Sequence, residues 1–380
     1  MLVAENRQLK KSTGNDTPMK NKICTSEISL ASELERRQIY FWLKKTSSLT
    51  AWRRIFRFYQ SWAEIVEQSV READKRGWAE KTSLPESEYV LILKGLAHCE
   101  EGLIRLEKGD KRVFKFDANG DFEMASRILK HWVELEHRIE TGDNGINEEY
   151  TPFWREFCQT LQALSAAWRE CSMPILEHRY FEDPAPTTYN SWLRDELANM
   201  SFANQIEVVP EPDDSTFVKT SDLTPFSGIW EPIEAEPNRT SLLTLFIKNQ
   251  KPQPPFNIIG TMNYLHGGSE APQMTVSIND ESVDLNTTWR LIWRDDRYRD
   301  GVIPQEEHSY SFKSPEKILA QAEPNESASE IIWAETGSKA PVAGQWLVES
   351  NLTAKITVEK GDALPLYQGR EVRWILAFKL

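Results

Sequence analysis

Apolar residues in the first 200 positions recur at spacings of three and four. They fall at Ile39, Trp42 and Leu43, then at Trp52, Ile55, Phe56, Tyr59, Trp62, Ala63, Val66 and Val70. A stripe of that period lies along one face of a helix. Thr50 is the expected N-cap of the longer helix and Gly77 its end, a rod of about 40 Å at 1.5 Å per residue. Further helices are expected from Glu86 to Lys108, Asp121 to Glu140, Thr151 to Met173 and Tyr189 to Met200. Asp121 should cap the third after the Asn119-Gly120 turn, and Pro152 suits the first turn of the fourth, where a missing N–H costs nothing. Long helices with short connections predict an antiparallel bundle.

Beyond residue 200 the period shortens to two. Runs rich in β-branched and aromatic residues stand between Pro, Gly and Asn. They are expected as strands near 216–219, 228–232, 242–248, 257–265, 274–278, 287–294, 309–313, 331–334, 345–348, 352–359 and 372–379. Trp289, Leu291 and Trp293 alternate with Arg290 and Arg294, the mark of a half-buried antiparallel strand. The expected fold class is therefore α+β: an N-terminal antiparallel helical bundle, then a mostly antiparallel all-β domain, sandwich or barrel-like. The expected divisions are a flexible N-terminal segment 1–33, a helical domain 34–202, a linker 203–215 and a β domain 216–380. The linker rests on the run Glu207-Val208-Val209-Pro210-Glu211-Pro212-Asp213-Asp214. No internal repeat stands out.

Charge sharpens this division. The 380 residues hold 45 Lys+Arg and 58 Asp+Glu, a net charge of −13. The first 200 residues contribute −3 and the last 180 contribute −10, so most of the acidity lies in the β part. An acidic chain is a poor candidate for binding nucleic acid, where affinity comes from Lys and Arg. No apolar run approaches the ~18–20 residues that cross a bilayer, and residues 1–33 lack the apolar core of a signal peptide. Cys24, Cys99, Cys158 and Cys171 form no CxxC pair. A cytoplasmic protein with reduced thiols and no membrane partner is expected.

Candidate chemistry is sparse. Leu265-His266-Gly267-Gly268 is similar to the oxyanion loop of some esterases, but no GxSxG elbow accompanies it. Glu134 and His137 form a single ExxH without the second that a di-iron bundle needs. Asp296 to Glu307 follows part of a calcium-loop pattern, with Asp296, Asp300, Gly301 and Glu307 in place but Tyr298 and Pro304 at ligand positions. Its plain alternative is an acidic loop braced by Arg294, Arg297 and Arg299. No phosphate cradle occurs, and basic pairs such as Arg53-Arg54 and Lys111-Arg112 are expected on the surface. No catalytic residue, metal site or cofactor is assigned, and the chain is expected not to be an enzyme.

Whole segments resemble the immunity protein 71 and immunity protein 72 families of bacterial polymorphic-toxin systems. In the helical part they are Ile39-Tyr40-Phe41-Trp42-Leu43-Lys44-Lys45, Leu84-Pro85-Glu86-Ser87-Glu88-Tyr89, Lys108-Gly109-Asp110-Lys111-Arg112-Val113-Phe114 and Pro152-Phe153-Trp154-Arg155-Glu156-Phe157. In the β part they are Ser227-Gly228-Ile229-Trp230-Glu231-Pro232, Tyr264-Leu265-His266-Gly267-Gly268-Ser269 and Thr288 to Tyr298, continuing through Asp300-Gly301 and Ile303-Pro304 to Glu306-Glu307. The resemblance spans about residues 37–313. It implies a non-enzymatic protein, encoded beside a toxin of a type VI or related contact-dependent system, that binds and neutralises that toxin. It carries no catalytic or partner residues to transfer.

From the residues themselves, an acidic β surface bearing Asp295, Asp296, Asp300, Glu306 and Glu307 could meet a basic toxin and occlude its active site. Charge of this kind speeds encounter and selects the partner. Trp230, Tyr264, His266, Trp293 and Tyr298 are the neighbouring rings that could anchor it. Without an export signal, the expected target acts in the cytoplasm, a basic nuclease fitting best. Two other readings are an adaptor or chaperone that loads a secreted effector, and an enzyme with an unfamiliar site around His266 and the Asp295–Glu307 loop.

Overall fold

The computed structural model describes residues 28–177, 183–202, 206–234, 252, 254–278, 281–313 and 332–379. Among the described residues six α-helices come first: α1 (Glu33–Thr46), α2 (Leu49–Lys75), α3 (Glu86–Glu107), α4 (Asp121–Glu140), α5 (Trp154–Ser172) and α6 (Ser191–Ala198). α1 opens with a reciprocal cap: the Ser32 hydroxyl accepts from Glu35 N–H, and the Glu35 carboxylate accepts from Ser32 N–H. α2 starts earlier than expected, because Ser48 rather than Thr50 accepts from Ala51 N–H at 3.2 Å. α4 has the expected limits, but Gly120 is its N-cap, and the Asp121 carboxylate pairs with Arg105 at 2.5 Å. α5 begins at Trp154, so Pro152 lies outside it. Phe153 makes a left-handed turn there (φ 58°).

α2 packs on α3 and α5, and α3 packs on α4. The tryptophans that set the apolar stripes fill the space between them. Trp52 stacks on Phe122 with centroids 4.0 Å apart and meets Trp168 edge-on at 5.3 Å. Trp62 and Trp132 are also buried and both contact Phe157. Burial of a large apolar side chain contributes about 1.5–3 kcal/mol, so these rings dominate the helical core.

Ten strands follow among the described residues: β1 (Asp213–Lys219), β2 (Gly228–Ile233), β3 (Asn263–Leu265), β4 (Met274–Ile278), β5 (Glu281–Leu285), β6 (Thr288–Arg294), β7 (Trp333–Glu335), β8 (Gly344–Val348), β9 (Asn351–Val358) and β10 (Arg373–Lys379). They form a four-stranded sheet in the order β1-β6-β2-β3, the β4–β5 hairpin, and a second four-stranded sheet in the order β7-β10-β8-β9. All pairings are antiparallel. Among the described residues there is no closed barrel. The strand expected at 242–248 lies outside the described residues. The one expected at 309–313 is replaced by a 3-10 turn at Gln305–Ser309 and an extended tail whose backbone bonds to the side chains of Lys45, Arg54 and Glu170.

The first sheet lies between helices and hairpin. Ile229, Tyr264 and Ile292 join the helical core, while Trp230, Trp289 and Leu291 form a second cluster with Met274 and Val276 of the hairpin. Trp293 does not share the face of Trp289 and Leu291, as strict alternation required. The register passes from Trp230↔Leu291 to Ile229↔Trp293 and skips Ile292. This bulge turns the Trp293 ring toward α1, where it meets Tyr40 edge-on at 6.4 Å. The seam between the two parts is also bound to the helices, since Lys44 Nζ holds Glu207 at 2.8 Å and Val209 packs on the helical core. The second sheet packs Leu347, Ile375 and Ala377 against Val90 of α3.

The two sheets are copies of one unit, which corrects the absence of a repeat in the sequence reading. Their strand orders are the same when β1, β2, β3 and β6 are matched with β7, β8, β9 and β10. Their registers agree pair by pair. Trp230↔Leu291 and Trp230↔Asn263 correspond to Trp346↔Leu376 and Trp346↔Ile356, and the bulge that skips Ile292 recurs as one that skips Ala377. Side-chain hydrogen bonds repeat as well: Trp289 Nε1 donates to Pro272 O at 2.9 Å, and Trp374 Nε1 donates to Pro365 O at 3.1 Å. Ser221 (φ 71°) and Gly337 (φ 82°) make the same left-handed turn. The repeat was hidden because residues 234–262 and the β4–β5 hairpin interrupt the first copy.

Candidate functional site

The loop that leaves β6 is bonded at several points to the helices across the helix–sheet junction. Arg297 closes a two-pronged ion pair with Asp295, Nε to Oδ1 at 2.9 Å and Nη2 to Oδ2 at 2.8 Å. The same guanidinium donates to Lys44 O at 2.9 Å and to the Ser47 hydroxyl at 2.7 Å, at the C-terminal end of α1. A cation there satisfies carbonyls that the helix leaves unpaired and faces the negative end of its dipole. Tyr298 then turns left-handed (φ 72°) and its hydroxyl accepts from Leu49 N–H at 2.8 Å. That hydroxyl also donates to Glu307, whose other oxygen accepts from Thr50 N–H at 3.1 Å. One loop therefore caps the end of α1 and the start of α2.

Two further groups complete the cluster. Tyr264 donates to Asp295 Oδ2 at 3.0 Å, and Lys111 Nζ lies 3.3 Å from Asp295 Oδ1 and 4.2 Å from the centre of the Tyr298 ring. Burial would raise the Asp295 carboxyl, but Arg297 and Lys111 outweigh it and hold the group down at about 2. Burial pushes the Lys111 ammonium down to about 8 despite the opposing pull of Asp295. The Tyr264 and Tyr298 hydroxyls are driven upward, first by burial, so both remain protonated donors. The cluster is a charge-bearing brace between sheet and helices.

The sequence-selected residues separate accordingly. Trp230, Tyr264, His266, Asp295, Tyr298 and Glu307 are buried, which removes them from the outward surface on which they were expected. Trp230 belongs to the core of the first β unit, and Trp293 is half-buried against α1. His266 borders a cleft of about 280 Å³ lined by Phe116, Glu177, Ser269 and Glu270. Asp296, Asp300 and Glu306 face outward. Asp296 is held by Arg294 at 3.0 Å and Arg299 at 2.8 Å, Asp300 accepts from Val302 N–H at 3.0 Å, and Glu306 pairs with Lys44 at 2.7 Å.

The acids of the calcium-loop pattern do not converge, because Glu307 turns inward to α2 while Asp296 and Asp300 turn out. Among the described residues no group of three or more His, Cys, Asp or Glu could hold a metal ion. Lys111 was expected on the surface and is instead 6% exposed. Its one sequence signal is its place between the Gly109-Asp110 turn and the apolar pair Val113-Phe114. No helix among the described residues is long and apolar enough to cross a membrane.

Residues 30–186 match the family model described as Immunity protein 71, and residues 209–311 match that described as Immunity protein 72. The chain thus resembles two immunity-protein families, one in the helical part and one in the first β unit, and this points to an immunity function against a toxin. Such families are generally non-enzymatic. No curated protein and no solved structure matches the chain. The residues of the second β unit lie outside both family matches.

Proposed function

We propose that this chain neutralises a cognate antibacterial toxin by binding it, without catalysis, in the cytoplasm of the cell that makes both. The observation that carries the reading is the pair of immunity-family matches, which meet at the braced junction. The brace supports a binding role because it fixes the loop tip from behind. Asp295, Arg297, Tyr298 and Glu307 are committed to the helices, so Asp296, Asp300 and Glu306 stand on a rigid base and need little ordering when a partner arrives. A basic toxin suits the excess of acids over the β part as a whole, with charge directing encounter and occlusion of the toxin active site as the inhibitory step.

The partner is proposed to be the toxin of a type VI or related contact-dependent system, encoded beside this gene. Co-expression of the two in a sensitive strain tests the reading. Growth is expected with the pair and arrest with the toxin alone. Binding of the toxin without rescue of growth would instead describe an effector-loading adaptor and sink the immunity function.

A further inference from the structure

The two β units correspond position by position, so their differences show what each copy has been given besides the fold. The first unit covers its own aromatic face. The β4–β5 hairpin runs from the pair Met274↔Leu285 to Ile278↔Glu281 and lays Met274 and Val276 into the cluster around Trp230 and Trp289. At the β3 edge, Asn263 grips the extended chain at Thr187: Oδ1 accepts from its N–H at 2.7 Å and Nδ2 donates to its carbonyl at 2.9 Å.

The second unit lacks both covers among the described residues. Its hairpin is cut to the first pair, Tyr367↔Arg370, closed by Gln368 and Gly369 at φ 48° and 75°. Four positions buried in the first unit, Val218, Asn263, Met274 and Thr287, correspond to Ala334, Ile356, Tyr367 and Val372, all partly exposed. These four pack on one cluster around Trp346 and Trp374. Beside them, Leu366 takes the place of Gln273 and is 55% exposed.

Loss of cover should turn a surface polar. Here the change runs the other way. Asn263, Thr287 and Gln273 are replaced by Ile356, Val372 and Leu366, each more apolar and each still open to solvent. Charge also differs, since residues 332–379 carry six Lys or Arg and five Asp or Glu, nearly neutral within a strongly acidic half. Among the described residues β9 (Asn351–Val358) forms the edge of its sheet, with no strand paired on its outer side.

We propose that this apolar strip on the second unit is where the toxin is anchored, and that the occupant is a strand or hairpin of the toxin. It lays apolar side chains where the first unit lays Met274 and Val276. Strand addition draws affinity from main-chain hydrogen bonds and specificity from alternate side chains. The inference rests on the immunity reading and divides the work between the copies: the acidic first unit steers, and the second unit holds.

The test transfers residues between copies within the full chain. Leu366→Gln, Ile356→Asn and Val372→Thr together give the second unit what the first already carries at matching positions, so each has a precedent in this fold. Wild type and triple variant are titrated calorimetrically with the purified, catalytically inactivated toxin encoded beside the gene. The expected result is at least a tenfold weaker Kd for the triple variant, with a cooperative melting transition still well above the temperature of the titration. Equal affinity for a folded triple variant overturns the strip as the anchor and leaves the immunity reading intact. A wild-type dimer that the triple variant converts to monomer makes a second copy of this chain the occupant and also overturns it. Should the triple variant not fold, Leu366→Gln alone decides, with at least threefold weakening expected and no change contradicting the strip. Absence of any wild-type binding removes the immunity reading and the strip together.

Discussion

Lys111→Met tests the physical account of the buried brace through its pH dependence. The Lys111 ammonium is 6% exposed, and burial lowers it from the ordinary 10.5 to about 8. Between those values the unfolded chain binds a proton that the folded chain does not, so folding becomes more favourable as pH rises. Below pH 8 both states are protonated and the folded state bears the full cost of a buried ammonium, about 3 kcal/mol by the linkage relation. Above 10.5 both are neutral and the cost is gone.

Methionine keeps the stem and removes the charge, while Asp295 retains both prongs of Arg297 and the Tyr264 hydroxyl. Urea unfolding followed by tryptophan fluorescence, with wild type and variant measured at the same pH, cancels the other titrating groups. The wild type is expected to gain about 2 kcal/mol on the variant between pH 7.5 and 9.5. A difference that stays flat over that range refutes the placement of Lys111 as a buried cation.

Other perturbations separate brace, rim and repeat. Asp295→Ala leaves Arg297 and Lys111 without their carboxylate and is expected to cost about 3–5 kcal/mol, read as a large fall in Tm. Asp296→Ala removes an exposed partner of Arg294 and Arg299 and should change stability by less than about 1 kcal/mol. Gly228→Ala brings a Cβ within 2.2 Å of the Trp293 carbonyl oxygen, so thermal melting should show clear destabilisation of the first unit. Trp346→Ala should cost about 3–5 kcal/mol locally, and hydrogen exchange should show protection lost over residues 332–379 while β1, β2 and β6 remain protected.

Periodicity disclosed the helices well where local signals agreed. α4 matched its expected limits because the Asn119-Gly120 turn and the apolar stripe point to one start. The start of α2 was displaced because its first turn is satisfied by three acceptors: Ser48 takes Ala51 N–H, while Tyr298 and Glu307, both remote in sequence, take those of Leu49 and Thr50 and so place Thr50 inside the helix. Trp293 was assigned to the wrong face because a bulge is a property of two strands, and Ile292 alone gives no sign of being skipped.

The candidate site was legible only in outline. Asp295 to Glu307 was singled out for its acids, and a run of charges reads as surface when its partners are unknown. Burial of Asp295 depends on Lys111 arriving from the end of α3, a pairing that no local pattern encodes. The duplicated β unit was hidden differently. Its common signature is a spaced set of turn residues and tryptophans, Pro225, Gly228 and Trp230 against Pro341, Gly344 and Trp346, and only the shared register makes the spacing visible.

The central claim is that the chain protects a cell by binding a toxin. Growth of a sensitive strain expressing the toxin encoded beside this gene, with and without this chain, measures that most directly. Restored growth, together with a stable complex of the two purified proteins, is the expected result. Continued arrest in cells that contain the folded chain at the toxin's own level or above would contradict it.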